Sequence, residues 1–233
     1  KSNKIGKFHI FLKKKEINNM PNYVKNKIVM DGIKELNIFT VQDDGNLHID
    51  FNKIIPMPKE LNIESGSIEK IAIEVAFRKC KGIVTGLKFM NDEEYKNCVK
   101  NTGKTEDELA EIGLIYITNS VKYGFTDWYG WRIKNWGTKW NALKTEIISD
   151  DEITFETAWS APTPILEMLS KMNPKTQVEH WWADEDIGYN TGYKRYSGEN
   201  ELESYYPDTC SSDAFEFYVE CWGETEYLKK DED

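Results

Sequence analysis

The amino-acid order predicts an α+β fold, and three observations carry that expectation. Residues 23–30 alternate apolar and polar, with Val24, Ile28 and Met30 among polar neighbours, and stop at the turn signal Asp31-Gly32, which marks a first strand. Residues 67–124 then follow a helical rather than an alternating period. Finally, residues 142–148 and 153–159 read as two strands joined through Ser149-Asp150-Asp151, followed by a helix over 163–173 and a further strand over 177–182.

Taken in order, the first strand is followed by a small hairpin over 41–50. Asp44-Gly45 supplies its turn, and Leu47, Ile49 and Phe51 alternate on one face. Pro56 and Pro58 then take residues 52–58 out of any sheet, since neither could donate to a central ladder. Three helices are expected next. Ser67 is the expected cap of the first, whose stripe is Ile68, Ile71, Ala72, Val75 and Ala76 and whose stop is Gly82. The second follows Asn91 over 92–100, and the third opens on the capping-box pattern from Thr105 to Glu108 and runs to Gly124.

The stretch 125–140 holds six aromatic residues, Phe125, Trp128, Tyr129, Trp131, Trp136 and Trp140, dense enough to be either a local core or a stacking surface. After the strand pair, in which Ile153, Phe155, Thr157 and Trp159 share a face, Pro162 and Pro164 open a helix with the stripe Ile165, Leu166, Met168, Leu169 and Met172. Val178, His180 and Trp182 share a face of the next strand, which leads into the polar, glycine-bearing segment 183–192. Residues 214–222 fit either an alternating strand or a helix, and a cap at Ser212 favours the helix.

Composition sets the class. Of 233 residues, 39% are hydrophobic and 13% aromatic, enough for a folded core despite 30% charged residues. No apolar run approaches the roughly 20 residues of a membrane-spanning helix. Charge is uneven: residues 1–19 carry six lysines against Glu16, a local net of +5, so with −10 overall the remainder carries −15. An acidic body opposes general binding of phosphate backbones and suits a basic protein partner. Cys80, Cys98, Cys210 and Cys221 lie too far apart for clustered thiolate ligation, which argues against iron–sulfur and structural zinc sites; a Cys210–Cys221 disulfide remains open.

Several runs occurring in order resemble one known family: Met20-Pro21-Asn22 with Asn26, the run 51–58, the run 135–141, Thr157-Ala158-Trp159-Ser160-Ala161-Pro162, and Ala183-Asp184-Glu185-Asp186-Ile187-Gly188. Together they resemble the YubB-like family of phage and plasmid proteins, over residues 20–222. The resemblance implies a ferredoxin-like fold, a split β-α-β antiparallel sheet with a helical insertion, and it supplies no catalytic residues. It implies three segments: a basic N-terminal extension over 1–19, one ferredoxin-like domain over 20–222 carrying an inserted hairpin and helices over about 38–124, and an acidic tail over 223–233.

Two sets of residues are candidates for function. Trp131, Arg132, Lys134, Trp136, Lys139 and Trp140 interleave rings with cations, and residues 122–144 hold five cations against Asp127 alone, a local net of +4. That combination suits a nucleotide or single-stranded nucleic acid; with Trp136, Trp140 and Trp159 as core, it is scaffold instead. Asp184 and Asp186 are weak candidates for a hard cation or an acid–base pair, although Asp184-Glu185-Asp186 does not complete a calcium loop. His9, His48 on the polar face of the hairpin, and His180 lack the partners that metal or triad chemistry needs, and no phosphate-loop glycine pattern occurs. The expectation is a non-enzymatic binding protein without a cofactor, located in the bacterial host's cytoplasm and acting on a host or competitor macromolecule as an inhibitor of a host defence system. The alternative is a nucleotide or single-stranded nucleic-acid binder, and an enzyme built on Asp184 and Asp186 is a third.

Overall fold

The central strand of the sheet is the first one in the chain. A computed structural model describes residues 22–41, 45–80 and 89–224, so the extension 1–19, residues 225–233 of the tail, and His9, Asp44 and Gly82 lie outside the described residues. Strand β1 (Tyr23–Val29) pairs antiparallel on one side with β5 (Glu152–Ala158) and on the other with β6 (Gln177–Asp184). Beyond β5 lies β4 (Leu143–Ile147); beyond β6 lie β7 (Gly192–Ser197) and β8 (Asn200–Tyr205). The sheet order is therefore β4-β5-β1-β6-β7-β8, with every neighbouring pair antiparallel. It follows that β1 and β4 run parallel with β5 slotted between them, which is the split β-α-β arrangement.

Between β1 and β4 the chain makes a ribbon of β2 (Phe39–Val41) and β3 (Leu47–Ile49), the short helix α1 (Phe51–Ile54), and helices α2 (Ser67–Lys79), α3 (Asp92–Thr102), α4 (Glu106–Tyr123) and α5 (Trp128–Trp136). The caps explain most of these boundaries. The Asn91 side chain accepts from Glu94 N, and Thr105 and Glu108 form the reciprocal capping box, each satisfying amides that a helix start leaves open. Ser67 is not a cap: it is the first helical residue, behind Gly66, with no side-chain bond to the helix. Nor is Phe51 on a strand face. Asp50 accepts from Asn52 N and turns the chain into α1 there, which carries Phe51 into the core.

Helices α5 and α6 (Thr163–Met172) cover one face of the sheet. Ile28, Ile153, Phe155 and Val178 from the strands meet Phe51, Trp131, Trp136, Ile165, Leu166 and Leu169 there, forming the main core. Helices α2, α3 and α4 hold a second apolar cluster of their own around Ile71, Val75, Leu109 and Tyr116. They approach closely at Gly113, where an added Cβ would fall 2.1 Å from the Ala72 carbonyl oxygen. The opposite face of the sheet is covered by α7 (Ser212–Trp222), which packs Tyr218, Cys221 and Trp222 on Trp181 and Ala183. The helix reading of this last segment holds, although its cap is Ser211, which accepts from Ala214 N at 3.2 Å, rather than Ser212.

His48 is 8% exposed rather than on a polar face. His180 is fully buried; its Nε2 meets Asn26 Oδ1 at 3.0 Å, while the Asn26 amide donates to Val24 O and Thr157 Oγ1, both at 2.9 Å. Burial, and then the nearby Lys194 charge, push the His180 pKa down to about 3. This imidazole is neutral and ties three central strands together.

Candidate functional site

Helix α5 ends at Gly137, which takes the left-handed conformation at φ 80°. An added Cβ there would stand 2.8 Å from Pro164 Cδ, so both the backbone sign and the close approach call for glycine. The turn that follows is pinned to the strap after β5. Thr138 Oγ1 donates to Ala158 O at 2.9 Å, and Ser160 Oγ donates to Gly137 O at 2.6 Å. This fixes Lys139 and Trp140 opposite Trp159. From the other side, Trp159 N donates to Asn22 O at 2.9 Å and Asn190 Nδ2 donates to Trp159 O at 3.3 Å.

The result is a surface of rings around one cation. Lys139 Nζ lies 5.0 Å from the Trp140 and Trp159 ring centroids and 5.7 Å from that of Tyr129; the two indoles are 6.0 Å apart. Contacts of this kind attract a cation to the negative ring faces. Trp159 is 46% and Tyr129 43% exposed. Trp159 also has φ 63°, a conformation that costs a bulky side chain energy and concentrates at sites of use. Beside Lys139 and Tyr129 a 520 Å³ cleft opens, lined also by Gly66, Glu69, Asp127 and Trp128.

The six residues singled out from the sequence are thus divided by the structure. Trp136 is fully buried, and its indole N–H donates to Ile55 O at 2.9 Å; Trp131 is 8% exposed and packs edge-on against it. Arg132 is sandwiched between the Trp128 and Trp136 rings at 4.9 and 4.8 Å, where burial lowers its pKa. Lys134 is exposed. Only Lys139 and Trp140 of that set reach the ring surface. Tyr129 and Trp159 complete it, although Trp159 had been expected in the core with Trp136 and Trp140. The alternation through Phe155 and Thr157 ends at Ala158, and the positive φ of Trp159 turns its ring out of the strand's plan.

Other cations of the basic stretch are engaged in ion pairs. Lys122 meets Glu60 at 3.3 Å and Lys144 meets the buried Glu156 at 3.0 Å, so the local excess of positive charge is largely offset in space. Asp184 and Asp186 build a turn: Asn22 Nδ2 donates to both, at 3.3 and 3.1 Å, and Asp184 Oδ1 accepts from Asp186 N at 3.0 Å. Among the described residues no three His, Cys, Asp or Glu side chains converge as a metal-ligand set. All four cysteines are free thiols, Cys210 and Cys221 included. Among the described residues no helix is long and apolar enough to cross a membrane.

Strand order, antiparallel pairing and the helix pair on one face define an α+β protein of the ferredoxin-like fold. Residues 135–228 match the model of a family described as "Ferredoxin-like domain in Api92-like protein". Among solved structures, the chain is similar to the Api92 protein from Yersinia pseudotuberculosis, with 11% identity and a TM-score of 0.38, covering 82% of this chain and 100% of that one. No curated protein matches the chain.

Proposed function

We infer that this chain is a binding module of a phage or plasmid, working in the cytoplasm of the bacterial host, and that it engages a host or competitor protein through Tyr129, Lys139, Trp140 and Trp159. The observation that carries this reading is Trp159, half in water at a strained backbone position and bracketed by Lys139 and Trp140. Exposed tryptophan and tyrosine around a fixed cation are typical anchors of protein interfaces. A role as an inhibitor of a host defence system follows the same reading, with the acidic body facing a basic partner.

Two observations favour a protein over a nucleic acid. The free sheet face on which related folds stack bases is here occupied by α7. In addition, Lys122 and Lys144 each pair with a carboxylate, Glu60 and Glu156, which competes with a phosphate track for their charge. The test is affinity capture from a bacterial lysate with the wild type and Trp159→Ala as parallel baits, alongside tryptophan fluorescence titrated with oligonucleotides at low salt. A protein held by the wild type and lost by Trp159→Ala supports the reading. Equal capture by both baits, or saturable quenching by oligonucleotides, would overturn it.

A further inference from the structure

A second site lies at the other end of the sheet. The β7–β8 turn and α6 enclose a pocket of 230 Å³ lined by Glu167, Lys171, Tyr196, Gly198, Glu199 and Glu201. Tyr196 is 2% exposed, yet its hydroxyl makes no hydrogen bond among the described residues. A buried hydroxyl without a partner forfeits its desolvation energy, so such groups ordinarily have one. Tyr196 is nevertheless one of the residues lining the pocket, so open volume stands beside it rather than sealed core on every side.

The chemistry of the lining decides what that partner is. Three carboxylates and Lys171 line the pocket, and the other nearby cation, Lys194, is already bound to one of them, Glu201, at 2.7 Å. Neither Glu167 nor Glu199 makes an ion pair among the described residues. Burial, and then the charges of Glu167 and Glu201, push the Tyr196 phenol well up, so it stays neutral and its oxygen can accept. With Glu201 paired to Lys194, Glu167 and Glu199 still outweigh Lys171, so an anion would meet a net negative lining. A cation with several N–H donors satisfies the carboxylates and the phenol oxygen together. The volume is below the roughly 300 Å³ at which small-molecule sites begin, so it suits the end of a single side chain.

We propose that this pocket binds a guanidinium or ammonium group, as presented by an arginine or lysine side chain. The site stands apart from the Trp159 surface and does not rest on the reading of it. The probes are N-acetylarginine amide, N-acetyllysine amide and, as a neutral isostere, N-acetylcitrulline amide, titrated into the full chain with backbone amide shifts at Gly198 and Glu199 as the readout; methylguanidinium distinguishes a free small cation from a peptide side chain. Saturable shifts with the cationic probes and none with citrulline are expected. Glu199→Gln, a change in an exposed turn, should weaken binding about tenfold. Tyr196→Phe should weaken it too while leaving the melting temperature unchanged or higher, because it removes an unpaired hydroxyl. Absence of saturable shifts, equal binding of citrulline, or Glu199→Gln without effect would overturn the proposal, whether or not Tyr196→Phe folds.

Discussion

Trp136 stands just before the Gly137 turn and Trp159 packs on Lys139 and Trp140 just after it, yet one is sealed and the other is half in water. Trp136 points from α5 into the main core, fills it against Phe51 and Trp131, and has its N–H satisfied by Ile55 O. Trp159 faces Lys139 and Trp140 at a backbone angle its side chain disfavours. Aromatic density alone does not separate scaffold from surface. What separates them is which side of the Gly137 turn the ring stands on, and the two sides should respond to perturbation in opposite ways.

The sharpest contrast is in stability. Trp136→Ala empties the centre of the core and should cost about 3–5 kcal/mol, a large part of a domain's usual stability, read by urea unfolding. A change below about 1 kcal/mol would break the comparison, since Trp136 would then be no more structural than Trp159. Acid should act through the buried His180 of the sheet. Unfolded, His180 takes up a proton near 6.5; folded, only near 3. Between those values the unfolded chain binds a proton that the folded chain refuses, so stability falls as pH drops below 6.5. The loss should reach about 2 kcal/mol at pH 5. Urea unfolding at pH 7 and pH 5, repeated with His180→Gln to flatten the slope, checks this.

The hinge between the two sides comes next. Gly137→Ala forces a side chain into the left-handed region and against Pro164, and should cost about 1–3 kcal/mol by thermal or urea unfolding. An unperturbed variant would mean that the turn does not hold the ring surface in place. The smallest effect belongs to Trp159→Gly, which relieves the strained angle while losing half-exposed ring contact, and should stay within about 1 kcal/mol of the wild type in the same assay.

The sequence made the split β-α-β frame legible because its signals are local and strong. The Thr105 capping box, the Asn91 cap, the prolines opening α6 and the alternation of β1, β5 and β6 all have one physical reading. Helix α5 was hidden because its rings surround the helix instead of forming one stripe: Trp131 and Trp136 face the core while Tyr129 faces water. The β7–β8 hairpin was hidden too, since every residue of β8 is exposed and leaves no apolar alternation to detect. Within the ring surface, Lys139 and Trp140 were visible as a basic and aromatic neighbour pair. Tyr129 lay within the same stretch, but Trp159 could not be placed there, because a positive φ at tryptophan has no sequence signature. Lys122 and Lys144 looked free for a ligand, and only the fold brings Glu60 and Glu156 to them.

The division between scaffold and binding surface is tested most directly by the affinity of the captured partner for Trp159→Ala, with the variant's melting temperature measured in parallel. A hot-spot ring should raise Kd by about tenfold or more while the melting temperature moves by only a few degrees. An unchanged Kd, or a weakened Kd accompanied by collapse of the fold, would contradict the assignment of Trp159 to a binding surface.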